Sequence, residues 1–193
     1  MIKTKRLRLE PVTPAHAEAM FEVLSDERIY TYLPTSPPAS LDALRDSYEF
    51  LARGESPDGH ESWLNWILVS SESGRALGYF QATVREPESC LIAYVLNPAH
   101  WGKGHAREAS VALIRHLFER YDVPSVEAHI DTRNEPSLRL VESLGMVRTR
   151  TVRDADEFKG SRSDEHVFRV SRPEWDRSVK SASRRGSRRG PSS

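Results

Sequence analysis

Residues 90–109 read CLIAYVLNPAHWGKGHAREA. The first seven residues favour a strand, Asn97-Pro98 breaks the run, and Gly102, Gly104 and Ala106 open a long helical pattern. Small residues let the backbone approach a ligand closely, and free N–H groups at a helix start point outward. Such a terminus carries about half a positive charge and suits phosphate or pyrophosphate. Lys103 adds a cation beside it. Taken alone, the stretch can also be read as a glycine turn with no ligand. A Walker A loop ends in Gly-Lys-Ser/Thr, but Gly104 is followed by His105, which excludes a P-loop. A dinucleotide fingerprint needs a glycine three positions after Gly104, where Arg107 stands, and it belongs after the first strand of a βαβ unit.

Upstream, residues 63–70, 76–84 and 90–96 are three runs of β-formers with turn residues between them, which predicts antiparallel hairpins. Residues 5–12 alternate apolar and polar and predict another strand. Thr13-Pro14 starts a helix to about Ser25, with Ala17, Met20, Phe21 and Leu24 on one face. Pro34, Pro37 and Pro38 make a loop, and Ser40 caps a second helix carrying Leu41, Leu44, Tyr48 and Leu51. Downstream, the helix over 104–121 ends before Pro124, and 125–131 predicts a strand. Ser137 opens a helix ended by Leu144-Gly145, and strands follow near 146–153 and 165–170. The order β-α-α-β-β-β-α-β-α-β-β predicts an α/β (α+β) three-layer domain, with a mixed sheet between helices.

The chain has 193 residues, a net charge of zero and one cysteine, Cys90. That length suits one domain with a tail, and a single cysteine excludes a disulfide framework or a multi-cysteine metal site. The histidines show no His-x-x-x-His pair, so no metal is expected. No apolar run approaches the ~20 residues of a membrane helix, and no apolar segment follows the basic start. These features predict a cytoplasmic protein without membrane contact. Residues 178–193 carry a charge of +5 and the body −5. An acidic body makes nucleic acid an unexpected partner. We therefore expect a domain over 1–177 and a disordered basic tail over 178–193. A homodimer is compatible with the sequence.

A second informative segment is 126–146, VEAHIDTRNEPSLRLVESLGM. With Asn-Pro-x-x-Trp-Gly-Lys-Gly-x-Ala-x-Glu-Ala at 97–109, Asn134-x-x-Ser137 and Leu144-Gly145-Met146, the chain resembles the GNAT superfamily of acetyl-CoA-dependent N-acetyltransferases. Thr4-x-Arg6-Leu7-x-Leu9, Asp26-x-x-Ile29-Tyr30 and Pro173-Glu174-Trp175 point to the subgroup of ribosomal-protein alanine N-acetyltransferases. The resemblance spans about residues 3–176. It implies a mostly antiparallel sheet of about seven strands, with strand 90–96 splayed from strand 125–131. The backbone of Tyr94, Val95 and Leu96 would then pair with the pantetheine arm of acetyl-CoA. The turn through Trp101, Gly102, Lys103, Gly104, His105 and Ala106 would hold the pyrophosphate. Asn134 would bond the cofactor arm near the thioester, and Ser137 would protonate the leaving thiolate. On the residues alone, Asn134 can also be a helix cap and Ser137 an ordinary first-turn residue.

The resemblance implies an amine acceptor, either a peptide N-terminus or a small amine. The alternatives are a polyamine or antibiotic acetyltransferase and a non-catalytic acyl-CoA-binding module. Glutamates common in relatives are replaced here by Leu91 and by Thr149-Arg150. The candidates for a base are Glu88, Glu61, His60 and His129. An α-amine with a pKa near 7.7–8.0 is roughly a tenth neutral at pH 7, whereas a lysine amine is neutral about once in 2,500. Weak base equipment therefore suits a low-pKa amine.

Overall fold

The computed structural model describes residues 1–85, 89–158 and 160–178. The expected basic tail falls outside them apart from Ser178, and so does Glu88. The strands are β1 (Ile2–Lys3), β2 (Leu7–Pro11), β3 (Ser62–Ser70), β4 (Ala76–Arg85), β5 (Ser89–Leu96), β6 (Ser125–Asp131), β7 (Val147–Phe158) and β8 (Ser161–Ser171). They form one sheet in the order β1-β2-β3-β4-β5-β6-β8-β7. Every neighbouring pair is antiparallel except β5–β6, which is parallel.

The helices are α1 (Ala17–Leu24), α2 (Leu41–Leu51), α3 (His105–Arg120) and α4 (Glu135–Ser143). Two apolar layers enclose the sheet. On one face Trp66, Leu68 and Phe80 meet Leu113, Ile114 and Leu117 of α3. On the other, Ile67 and Val69 meet Met20 of α1 and Leu44 and Tyr48 of α2. Residues 66–69 thus alternate between two buried layers, so β3 reads as a continuous apolar run. The three-layer expectation holds.

The sheet has eight strands among the described residues, against the expected seven. The addition is the two-residue β1, too short for its alternation to be read. Strands β7 and β8 also extend beyond 146–153 and 165–170. Irregularities between Arg148 and Arg150, and between Val152 and Asp156, break the alternation that would have marked β7. A 3-10 segment, Glu27–Tyr32, follows α1, and its Tyr30 hydroxyl donates to the Leu24 carbonyl at 2.9 Å.

At Gly78 the backbones of β4 and β5 come unusually close. A Cβ there would lie 2.0 Å from the Val95 carbonyl oxygen and 2.8 Å from the Leu96 Cα. The bare backbone lets the end of β5 lie tight against β4, on the side away from β6. Gly78→Ala should therefore destabilise the fold by about 1–3 kcal/mol through overpacking. Urea unfolding checks this, and a midpoint equal to wild type would refute it.

Candidate active site

Strand β5 meets β6 at only two register pairs, Cys90↔Val126 and Leu91↔Glu127. Against β4 the same strand keeps its register from Ser89 to Leu96. Beyond Leu91 the two parallel strands diverge. The β5 backbone over 93–96 therefore has no strand partner on that side, and unpaired N–H and C=O groups seek other partners. This is the splay expected of Tyr94, Val95 and Leu96. The Leu96 carbonyl is already engaged, accepting from the Trp101 indole Nε1 at 2.8 Å.

The turn into α3 is tightly built. The Asn97 side chain accepts from Ala99 N at 3.0 Å and donates to the Val23 carbonyl at 3.0 Å, tying the turn to α1. Gly102 and Gly104 have φ values of 70° and 75°, in the left-handed region that glycine enters freely. Gly104 is the N-cap of α3 and has no side chain to cap it. By contrast, Ser40 caps α2 by accepting from Ala43 N, and Asn134 caps α4 by accepting from Ser137 N. The first amides of α3 at His105 and Ala106 are thus left for an external acceptor. Together with exposed Lys103 they make a cradle suited to an anion.

The N-terminal segment locks this cradle in place. Arg6 Nε donates to Glu108 Oε2 at 2.7 Å, and its Nη1 donates to the Lys103 carbonyl at 3.1 Å. Thr4 Oγ1 donates to Glu108 Oε1 at 2.6 Å. Burial lowers the pKa values of His100 and His105, and the nearby Lys103 and Arg6 lower them further. Both imidazoles are therefore neutral at pH 7. Trp101 is 50% exposed beside the turn.

Across the splay stands the start of α4. Asn134, rather than Ser137, caps this helix, with Ser137 N donating to Asn134 Oδ1 at 3.2 Å. Ser137 is half-buried and lies beside the Tyr94 hydroxyl. That phenol is buried and completes no normal hydrogen bond, although contact with Ser137 perturbs it. Burial pushes its pKa up to about 12, and Ser137 pulls the other way. Tyr94 thus brings a side chain as well as a backbone to the opening. Sequence reading missed this, because no tyrosine follows Asn134 and strand spacing does not reveal a contact with α4.

The candidate bases among the described residues are engaged elsewhere or exposed. Glu61 accepts from Trp63 Nε1 at 2.8 Å and from Arg85 Nε, and these bonds lower its pKa. His129 lies 3.4 Å from Glu165 and 4.0 Å from Glu127 in a β6–β8 ion cluster. His60 is exposed in the loop before β3. Cys90 is buried, and burial pushes its thiol up to about 12, so it is no nucleophile. Among the described residues no cluster of three or more metal-ligand side chains forms, and no helix is long and apolar enough to cross a membrane.

Asp131 anchors the Asn134 turn. Its carboxylate accepts from Arg133 Nη2 and from Ser163 Oγ, each at 2.6 Å, and its carbonyl accepts from Asn134 N at 2.9 Å. Burial pushes the Asp131 pKa up, but bonds from Arg133 and Ser163 outweigh it and hold the carboxyl at about 2. A depressed carboxyl stabilises the fold fully above its unfolded value of 3.8, and the stabilisation is lost as pH falls towards 2. Asp131→Asn should cost about 2 kcal/mol at pH 7 and little near pH 2. Urea unfolding across that range is the check, and a pH-independent cost would contradict it.

Comparison with known proteins agrees with this geometry. Residues 6–147 match the family model described as an acetyltransferase (GNAT) domain. The chain is 26% identical over 172 residues to the uncharacterized N-acetyltransferase p20 of Bacillus licheniformis, spanning 89% of this chain and 96% of that relative. It shares its fold with the ribosomal-protein-S5-alanine acetyltransferase of Vibrio fischeri, with a TM-score of 0.78 and 16% identity over 90% of this chain and 97% of the other. It likewise shares it with the spermidine N-acetyltransferase of Vibrio cholerae, solved with CoA and spermine, with a TM-score of 0.76 and 16% identity over 89% and 99% of the two chains. The splayed strands, the uncapped glycine turn and these likenesses converge, and the chain belongs to the GNAT family of acetyltransferases.

Proposed function

We propose that this N-acetyltransferase takes its acetyl group from acetyl-CoA and delivers it directly to a low-pKa amine such as a peptide or protein N-terminus. The observation that carries this reading is the β5–β6 divergence, which opens beside the uncapped start of α3. Acetyl-CoA would supply the acetyl thioester, already activated for transfer. The unpaired backbone at Tyr94, Val95 and Leu96 would orient its pantetheine arm. The amides and Lys103 of the turn from Trp101 to Ala106 would hold its pyrophosphate.

Backbone N–H groups of β5 would favour negative charge on the thioester oxygen, so the chain's contribution would be mostly positioning and polarisation. Ser137 Oγ would supply the proton that a departing thiolate needs, and Asn134 fixes that residue by capping α4. Overall the amine nitrogen gains the acetyl carbon, the C–S bond breaks, and a proton passes from the amine to the sulfur. Glu61 and His129 are engaged in bonds and ion pairs of their own, which favours an amine that is already neutral. We place the reaction in the cytoplasm, which suits a chain whose single cysteine is free and buried.

Thiol release from acetyl-CoA with an α-amine peptide tests the reading. Ser137→Ala should lower kcat by ~10²-fold with little change in CoA affinity. The deficit should shrink as pH rises towards about 8.5, where a thiolate needs less help. An unchanged kcat would remove Ser137 from the chemistry. Absence of thiol release with every amine would leave a binding module rather than an enzyme that uses acetyl-CoA.

A further inference from the structure

Gln81 ends a chain of amide hydrogen bonds whose direction is fixed by its first member. Asn65 Nδ2 donates to the Trp63 carbonyl at 3.1 Å. A carbonyl oxygen only accepts, so Asn65 must turn its Oδ1 towards Gln81. Gln81 Nε2 donates to that oxygen at 2.8 Å, which leaves Gln81 Oε1 at the open end of the chain. Among the described residues no donor meets Oε1. Gln81 sits on β4 opposite Ala93 of β5, where the unpaired stretch of that strand begins.

Gln81 also lines a cavity of about 300 Å³ between the sheet and α1–α2, walled by Leu44, Tyr48, Leu51, Asn65 and Tyr79 among others. None of its lining residues is charged. Burial pushes the phenols of Tyr48 and Tyr79 upward, so they too are neutral. The Tyr48 hydroxyl is buried with no hydrogen-bond partner.

We propose that Gln81 Oε1 accepts an N–H of the acceptor amine and that the cavity takes an uncharged body, so the acceptor is a neutral-bodied monoamine rather than a polyamine. This rests on the acetyl-CoA-to-amine reading above and names the acceptor class for the same site. An amide oxygen can hold a neutral amine by one N–H and leave its lone pair free to attack. A carboxylate at that position would instead favour the ammonium, which has no lone pair. A second ammonium in the cavity would lose its hydration without gaining a counter-charge. The cavity is at the small end for ligand sites, so the body is about the size of one side chain or a small amine. Gln81 is thus a positioning residue for the nucleophile.

The test uses acceptor pairs that differ in charge but not in the reacting amine: leucinamide against lysinamide, and butylamine against 1,4-diaminobutane. Wild-type enzyme should favour the neutral member of each pair by at least about tenfold in kcat/KM, the equivalent of one unpaired polar contact. Gln81→Leu should raise KM for leucinamide about tenfold with a smaller change in kcat. Gln81→Glu should move the preference towards the diamine and shift its rate profile to higher pH, because the carboxylate holds the ammonium. A wild-type preference for the charged members, or a preference unmoved in Gln81→Glu, would overturn the proposal. If no amine is turned over, the acetyl-transfer reading fails. The amine-induced rise in melting temperature with CoA present then decides the cavity's preference, and equal or reversed rises within the pairs overturn it.

Discussion

The structure depends on one interrupted strand pairing. Strands β5 and β6 run parallel and stay in register for two residue pairs, then separate. Parallel strands need a crossover, and here α3 is that crossover. The separation therefore opens next to the start of the helix that joins the two strands. An unpaired strand edge and an uncapped helix start are both costly to bury without partners. Here they converge where a ligand with a polar amide arm and a phosphate end can satisfy both. Gly78 contributes from the other side by letting the end of β5 lie tight against β4.

Around that opening, positive charge is placed at one end and withheld at the other. The α3 turn has helix amides and Lys103, held in place by Arg6, Thr4 and Glu108. Arg6 closes the turn from outside by bonding a carbonyl within it, while Glu108 offsets its charge. In the cavity under α1 and α2 the lining is uncharged, made of phenol, hydroxyl, amide and apolar side chains. A neutral amine fits this division of labour.

Much of this was legible in the residues. Strand 125–131 and the helices over 41–51 and 105–120 follow from apolar spacing and from Ser40, Gly104 and Pro124 as boundary signals. The glycine turn announced itself because left-handed backbone needs residues that tolerate it. What spacing could not reveal was contact between distant segments. Thr4 and Arg6 reach Glu108 across about a hundred residues of chain. Tyr94 meets Ser137, and Gln81 meets Asn65, only after the sheet has formed. The role of Asn134 was open between cap and ligand, and in the fold its Oδ1 is a cap. The bulged hairpin β7–β8 was read short because its irregular register breaks the period on which strand reading relies.

In the proposed mode of binding, the open edge of β5 and the start of α3 together hold CoA. Amide hydrogen exchange, measured with and without CoA, tests it at the level of single residues. CoA should slow exchange at Tyr94 to Leu96 and at Gly102 to Ala106. Saturating CoA that leaves both of those segments exchanging at their free rates would contradict the account.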